Sequence, residues 1–221
     1  MHAKSFNLAR RAGFTLVELL AVILIMSVLL SIGAVGLRNV GKAQGTTAAA
    51  AIAEALMEEA RTIAVSRGTT ARLIVNADSG ATDLGDQRYL REMYVVYREV
   101  DETTGDEITS QWVRASRPTM LPDKVFFDIE GSQKGVGNTA DSGSGSIDAE
   151  SHQLDGGNPS SMNAYYYEFN SEGICQSPGA SFVVIEGVMV GGTMKGDDEN
   201  KAGFVVWRNG RTSVIRDHGD L

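Results

Sequence analysis

Glu18 is the only charged residue in an apolar run that extends from Phe14 to Leu37. The chemistry open to such a group is ion pairing. A charged side chain in a bilayer costs roughly 2.5–3.5 kcal/mol on insertion scales, and a buried charge persists where a counter-ion and hydrogen bonds meet it. Thr15, Ser27 and Ser31 are the other polar residues of the run, and each hydroxyl can bond its own helix backbone. The remaining reactive side chains are poorly placed. His2, His152 and His218 fall near the amino terminus, in a Gly/Ser-rich stretch and near the end of the chain, and no HExxH, GxSxG, phosphate loop or CxxC is present. A non-enzyme with no catalytic residue and no cofactor is expected. Cys175 is the single cysteine, so an intrachain disulfide is impossible and a small buried apolar role is expected. The acids of Gly196-Asp197-Asp198-Glu199-Asn200, with Asp78, Asp83 and Asp86, invite a calcium reading. Neither group has EF-hand spacing, so both are read as solvated turns and no metal site is expected.

The element that must carry Glu18 is a helix. At about 1.5 Å per residue, the run from Phe14 to Leu37 is long enough to cross a ~30 Å hydrocarbon core. Lys4, Arg10 and Arg11 precede it with no acid before Phe14, which puts the amino end in the cytoplasm and the bulk of the chain outside. Arg38 and Lys42 weaken that bias without reversing it. A cleavable secretory signal has an apolar core of only about 7–15 residues. The small-x-small sequences Ser31-Ile32-Gly33 and Ala34-Val35-Gly36 leave that alternative open. The chain as a whole is acidic, with a formal net charge of −8, which disfavours non-specific binding to nucleic acid.

Beyond the apolar run, Thr46 to Arg67 is rich in strong helix formers. Ile52, Leu56, Ala60, Ile63 and Ala64 form one apolar stripe there, while Glu54, Glu58 and Thr62 occupy another face. Gly33, Gly36, Gly41 and Gly45 lie between the two parts and predict a bend or local melting. Gly68 reads as a helix cap. Period-two patterning then gives strands at Thr70 to Val75, Tyr89 to Val100, Trp112-Val113 and Val125 to Ile129. It continues at Tyr165 to Phe169, Phe182 to Val190, Gly203 to Arg208 and Thr212 to Ile215. The fold class is α+β: a long N-terminal helix, transmembrane and then amphipathic, followed by an antiparallel β-sheet or β-sandwich. Residues 131–163 are rich in Gly, Ser and Asp, and a flexible insertion is expected there.

From Gly13 through Leu20 the sequence Gly-Phe-Thr-Leu-Val-Glu-Leu-Leu, behind its basic leader, resembles the signature of the type IV prepilin and pseudopilin superfamily. The resemblance implies a membrane prepilin peptidase that cuts between Gly13 and Phe14 and N-methylates Phe14. It implies a cytoplasmic leader whose charge is Lys4, Arg10 and Arg11, and whose removal takes the net charge from −8 to −11. It gives Glu18 an assembly role: pairing with the Phe14 amine of a neighbouring subunit, or with the Phe14 amine of its own chain one turn away. A second, looser resemblance is to the H-type minor pseudopilins of type II secretion. It is carried by Ala60-Arg61-Thr62-Ile63-Ala64, by Phe169-Asn170-Ser171-Glu172-Gly173 and by Val206-Trp207-Arg208-Asn209-Gly210-Arg211.

The resulting division is a leader at 1–13, a transmembrane and assembly helix at 14–37, an amphipathic continuation at 38–67 and a periplasmic β-domain at 68–221. The resemblance implies as partners the prepilin peptidase, other pilins or pseudopilins in a filament, an inner-membrane assembly platform and the membrane itself. It implies a single-pass inner-membrane protein that later enters a filament. A minor pilin of a type IV pilus and a membrane-anchored binding protein are the alternatives.

Overall fold

The computed structural model describes residues 15–79, 87–135, 145–155 and 161–215, the side chains of 32–43 excepted. The contacts divide the chain into two units, Met1–Gly41 and Lys42–Leu221. One helix, α1 (Leu16–Arg67), is assigned without a break, so the local melting expected around Gly33 to Gly45 is not found. Its end is built as the sequence predicts. Gly68 has φ 66°, and the Thr69 amide donates to the Ala64 carbonyl at 3.1 Å. This is a Schellman closure that satisfies one of the last orphan carbonyls.

The strands follow in the order β1 (Ala71–Asn76), β2 (Glu92–Tyr97), β3 (Val113–Arg114), β4 (Thr119–Met120), β5 (Val125–Phe127) and β6 (Gln133–Lys134). They continue with β7 (Gly145–Ser146), β8 (Ala149–Gln153), β9 (Ser161–Phe169), β10 (Ala180–Val190), β11 (Thr193–Val206) and β12 (Thr212–Ile215). The first sheet runs β3-β2-β1-β9-β8 with β4 also on β2; the second runs β12-β11-β10-β5; β6 and β7 pair alone. Every ladder between these strands is antiparallel, and outside them Trp112 and Leu154 form an isolated parallel bridge.

Strands β1 and β2 are buried along their whole length, because both faces of the first sheet are covered. Leu73, Val75, Met93 and Val95 join Phe127, Phe182 and Phe204 in the main core, with Ala49, Ala53, Leu56, Met57, Ala60 and Ala64 from α1. Ile74, Tyr94, Val96 and Ala164 make a second, smaller core under Trp112 and Leu154. The helix stripe is therefore rotated from the one read in sequence. Ala49, Ala53 and Met57 are at its centre, with Ile52 and Ile63 only partly buried at its margins. Small alanines let the backbone of α1 approach the sheets closely, and hydrophobicity alone does not rank them first.

The described parts of 131–163, residues 131–135, 145–155 and 161–163, are not a flexible insertion. Ser132 and His152 are fully buried within them, and Ile147 and Leu154 nearly so. Strand β8 pairs with β9 over Ala149↔Tyr165 to Gln153↔Ser161. The composition is poor in apolar residues, but a sheet edge supplies the backbone partners that such a segment cannot make alone. The acidic segment 196–200 is likewise strand rather than turn. It lies within β11, opposite an irregularity between Ile185 and Gly187.

Candidate functional site

At the head of α1, Thr15 and Glu18 cap each other. The Glu18 amide donates to the Thr15 hydroxyl oxygen at 3.2 Å. The Thr15 amide and hydroxyl donate to Glu18 Oε2 at 3.5 and 3.4 Å. This is the reciprocal Thr-x-x-Glu capping box, in which the N-cap hydroxyl and the carboxylate each satisfy an orphan donor of the first turn. The carboxylate also sits where the helix dipole favours negative charge. Thr15 is a partner of Glu18 additional to the expected Phe14 amine, and the Thr15-x-x-Glu18 spacing is its signal in the sequence.

Below that cap the helix presents apolar side chains on all sides. Leu16 is 82% exposed and Leu30 73%, and Val17, Leu19, Leu20, Ile23, Ile25 and Leu29 are all exposed. An all-round apolar helix is stable only in lipid or among other helices. Its hydroxyls ask nothing of either environment. Ser27 Oγ donates to the Ile23 carbonyl at 2.7 Å and Ser31 Oγ to the Ser27 carbonyl at 2.8 Å. Among the described residues no helix is long and apolar enough to cross a membrane; the span expected at 14–37 begins before them and ends within 32–43, whose side chains are not described. Gly13, Phe14, Lys4, Arg10 and Arg11 lie outside the described residues, as do Asp83, Asp86, His2 and His218.

The β-domain carries two clusters of ionisable side chains. On the outer face of the first sheet, Arg72 Nε donates to Glu168 Oε2 at 2.6 Å and Nη1 to Glu150 Oε2 at 2.8 Å. Its guanidinium also stacks on Tyr166 at 3.9 Å and on Trp112 at 4.3 Å. Near β10, Lys201 Nζ lies 2.9 Å from the buried Asp128 and 3.0 Å from Asp198. Burial works against the Lys201 charge, but its bonds to the two aspartates outweigh that and raise its pKa. A cavity of about 410 Å³ beside this pair is lined by Tyr89, Ile129, Ile185 and Met194, among others. No group of three His, Cys, Asp or Glu side chains that could hold a metal occurs among the described residues. Burial pushes the Cys175 thiol up to about 11.

Residues 8–34 match the family model described as the prokaryotic N-terminal methylation motif. No curated protein matches the chain. Among solved structures, the type IV minor pilin FimU of Pseudomonas aeruginosa is similar at 12% identity and a TM-score of 0.41, covering 77% of this chain and 88% of that one. The minor pseudopilin EpsH from the type 2 secretion system of Vibrio cholerae is similar at 10% identity and a TM-score of 0.38, covering 77% and 96%.

Proposed function

We propose, from the premise that this chain is a member of the type IV pilin and pseudopilin superfamily by its N-terminal methylation motif, that it is a minor pseudopilin of a type II secretion pseudopilus supporting protein export. A prepilin peptidase cuts between Gly13 and Phe14 and methylates Phe14, with Lys4, Arg10 and Arg11 holding the leader on the cytoplasmic side. The processed chain waits in the inner membrane with residues 68–221 in the periplasm until an assembly platform moves it into the filament.

The observation that carries this reading is the capped carboxylate at the head of an exposed apolar helix. Glu18 is held at the helix end where the Phe14 amine forms on cleavage. A neighbouring subunit's amine can then pair with it once both enter an apolar environment, where an unpaired charge is strongly disfavoured. Leaving lipid for a bundle of like helices conserves the apolar surroundings of Leu16 to Leu30. The two turns in which the H-type resemblance is read, at Gly173 and Gly210, both pack against Arg61 of α1.

The experiment is mass spectrometry of the amino-terminal peptide from membranes of the native host, followed by deletion of the gene. A chain starting at N-methylated Phe14, with loss of protein export on deletion, is the expected result. Methylated Phe14 with intact export and lost pilus function moves the protein to a type IV pilus. A chain starting at Met1, or cut after Gly33 or Gly36, overturns the filament reading.

A further inference from the structure

His152 is the largest departure of the structure from the sequence. It lies on the edge strand β8 yet is fully buried. Its Nδ1 is 2.9 Å from the Glu150 carbonyl oxygen, which fixes the ring proton on Nδ1 as donor. The lone pair of Nε2 then accepts from Arg72 Nη1 at 3.0 Å. The ring lies between Trp112 and Tyr166, at centroid distances of 5.7 and 5.8 Å.

The charged and titratable groups around it come from every neighbouring element. They are Arg72 from β1, Tyr94 from β2, Arg98 from the chain after β2, Glu150 from β8, and Tyr166 and Glu168 from β9. Both carboxylates already bond Arg72. A second proton on His152 would therefore set an N–H⁺ against a guanidinium, with Nε2 facing a donor in place of an acceptor.

We propose that His152 and Arg72 form an acid-sensitive latch: protonation of His152 releases β8 and the Trp112 segment together, while the main core stays folded. The two segments move together because they are bonded to one another. The Trp112 amide donates to the Gln153 carbonyl and the Asp155 amide to the Trp112 carbonyl, each at 2.8 Å. They can leave without the rest because the cluster they cover is separate from the main core. β8 also pairs only with β9 among the named strands.

The direction follows from the proton balance. Burial first, and Arg72 second, lower the His152 pKa from 6.5 to about 4. The released segment thus binds the proton more readily than the docked one. Docking is at full strength above pH 6.5 and weakens as pH falls from there toward 4. Release leaves the β9 edge without a partner, which is a template for another strand. The latch does not depend on the filament assignment, and its test reads neither processing nor export.

The test uses the full chain in detergent micelles with Trp207→Phe, which leaves Trp112 as the only tryptophan. The expected result is a red shift of Trp112 emission and a gain in acrylamide quenching between pH 6.5 and 4, with unchanged far-UV circular dichroism from α1. In His152→Gln, which cannot gain the charge, the emission stays flat over the same range. Emission that is flat in the unsubstituted histidine protein, a shift that persists in His152→Gln, or a shift that coincides with loss of the helix signal each overturns the latch. If His152→Gln does not fold, the imidazole titration by NMR in the histidine protein decides. A midpoint well below 6.5 that tracks the emission supports the latch, and a midpoint at 6.5 overturns it.

Discussion

Gly210 lies so close to Arg61 that a methyl group added to it would meet the Arg61 Nε at 2.8 Å and the Gly173 carbonyl oxygen at 2.8 Å. Gly210 has φ 74° and Gly173 φ 76°, so both turns need the left-handed conformation that glycine adopts without strain. A methyl on Gly173 would in turn meet Val65 Cγ2 at 2.8 Å. Two turns far apart in the chain thus close on one side of α1. Gly210→Ala is expected to cost about 1–3 kcal/mol, since the flexible Arg61 can shift but the Gly173 backbone cannot. Denaturant unfolding of the two proteins checks it; equal midpoints would show that the contact is loose.

Thr15→Ala removes the N-cap hydroxyl and leaves Glu18 with the backbone amide alone. The first turn of α1 is expected to lose about 1 kcal/mol. Hydrogen exchange in micelles should show faster exchange confined to residues 16–19, with the melting of the β-domain unchanged.

Arg72 holds two carboxylates and two aromatic rings at once. Arg72→Ala is expected to cost on the order of 3 kcal/mol, mainly by leaving Glu168 without its counter-ion in a half-buried place. Arg72→Lys should recover less than half of this, because an ammonium neither forks between two carboxylates nor stacks as a plane. Full recovery with Lys, measured by chemical denaturation, would mean that charge alone matters.

The Cys175 thiol, buried and pushed up to about 11, should resist Ellman's reagent at pH 8 in the native protein and react promptly in denaturant. The same shift makes a stability prediction. Because the folded thiol keeps its proton to higher pH than the unfolded one, whose value is 9.0, its contribution is complete below pH 9 and is lost as pH rises toward 11. Cys175→Ala should flatten that part of the pH–stability curve.

Much of the fold is legible in the sequence because its signals are local. Gly68 ends the helix where a left-handed residue must stand, and β12 (Thr212–Ile215) falls on its predicted bounds. The strands at 71–76 and 180–190 are displaced from their expected limits by only one or two residues. Period-two apolar patterning and turn chemistry are properties of neighbouring residues, so no tertiary information is needed to see them. The candidate site is legible in part for the same reason. Glu18 stands out as a lone charge, and Thr15-x-x-Glu18 is a cap spelled in four residues. The centre of the helix stripe is not legible in this way, because small residues such as Ala49 and Ala53 sit there while Ile52 and Ile63 are only partly buried.

By itself the sequence determined the amino-terminal motif, a long amino-terminal helix in two helical stretches and the succession of strands that follows it, while the continuity of α1 through Gly33 to Gly45 was decided by the structure. These depend on residue spacings of two to four along the chain, which backbone geometry converts directly into a helix or a strand. Only the tertiary structure decided that a Gly/Ser-rich stretch contributes an edge strand, that His152 is buried against Arg72, and that Gly173 and Gly210 meet at Arg61. Each of these joins residues that are distant in sequence. A polar or flexible residue becomes buried when a distant partner satisfies its hydrogen bonds, and that partner cannot be read from the residue's own neighbours.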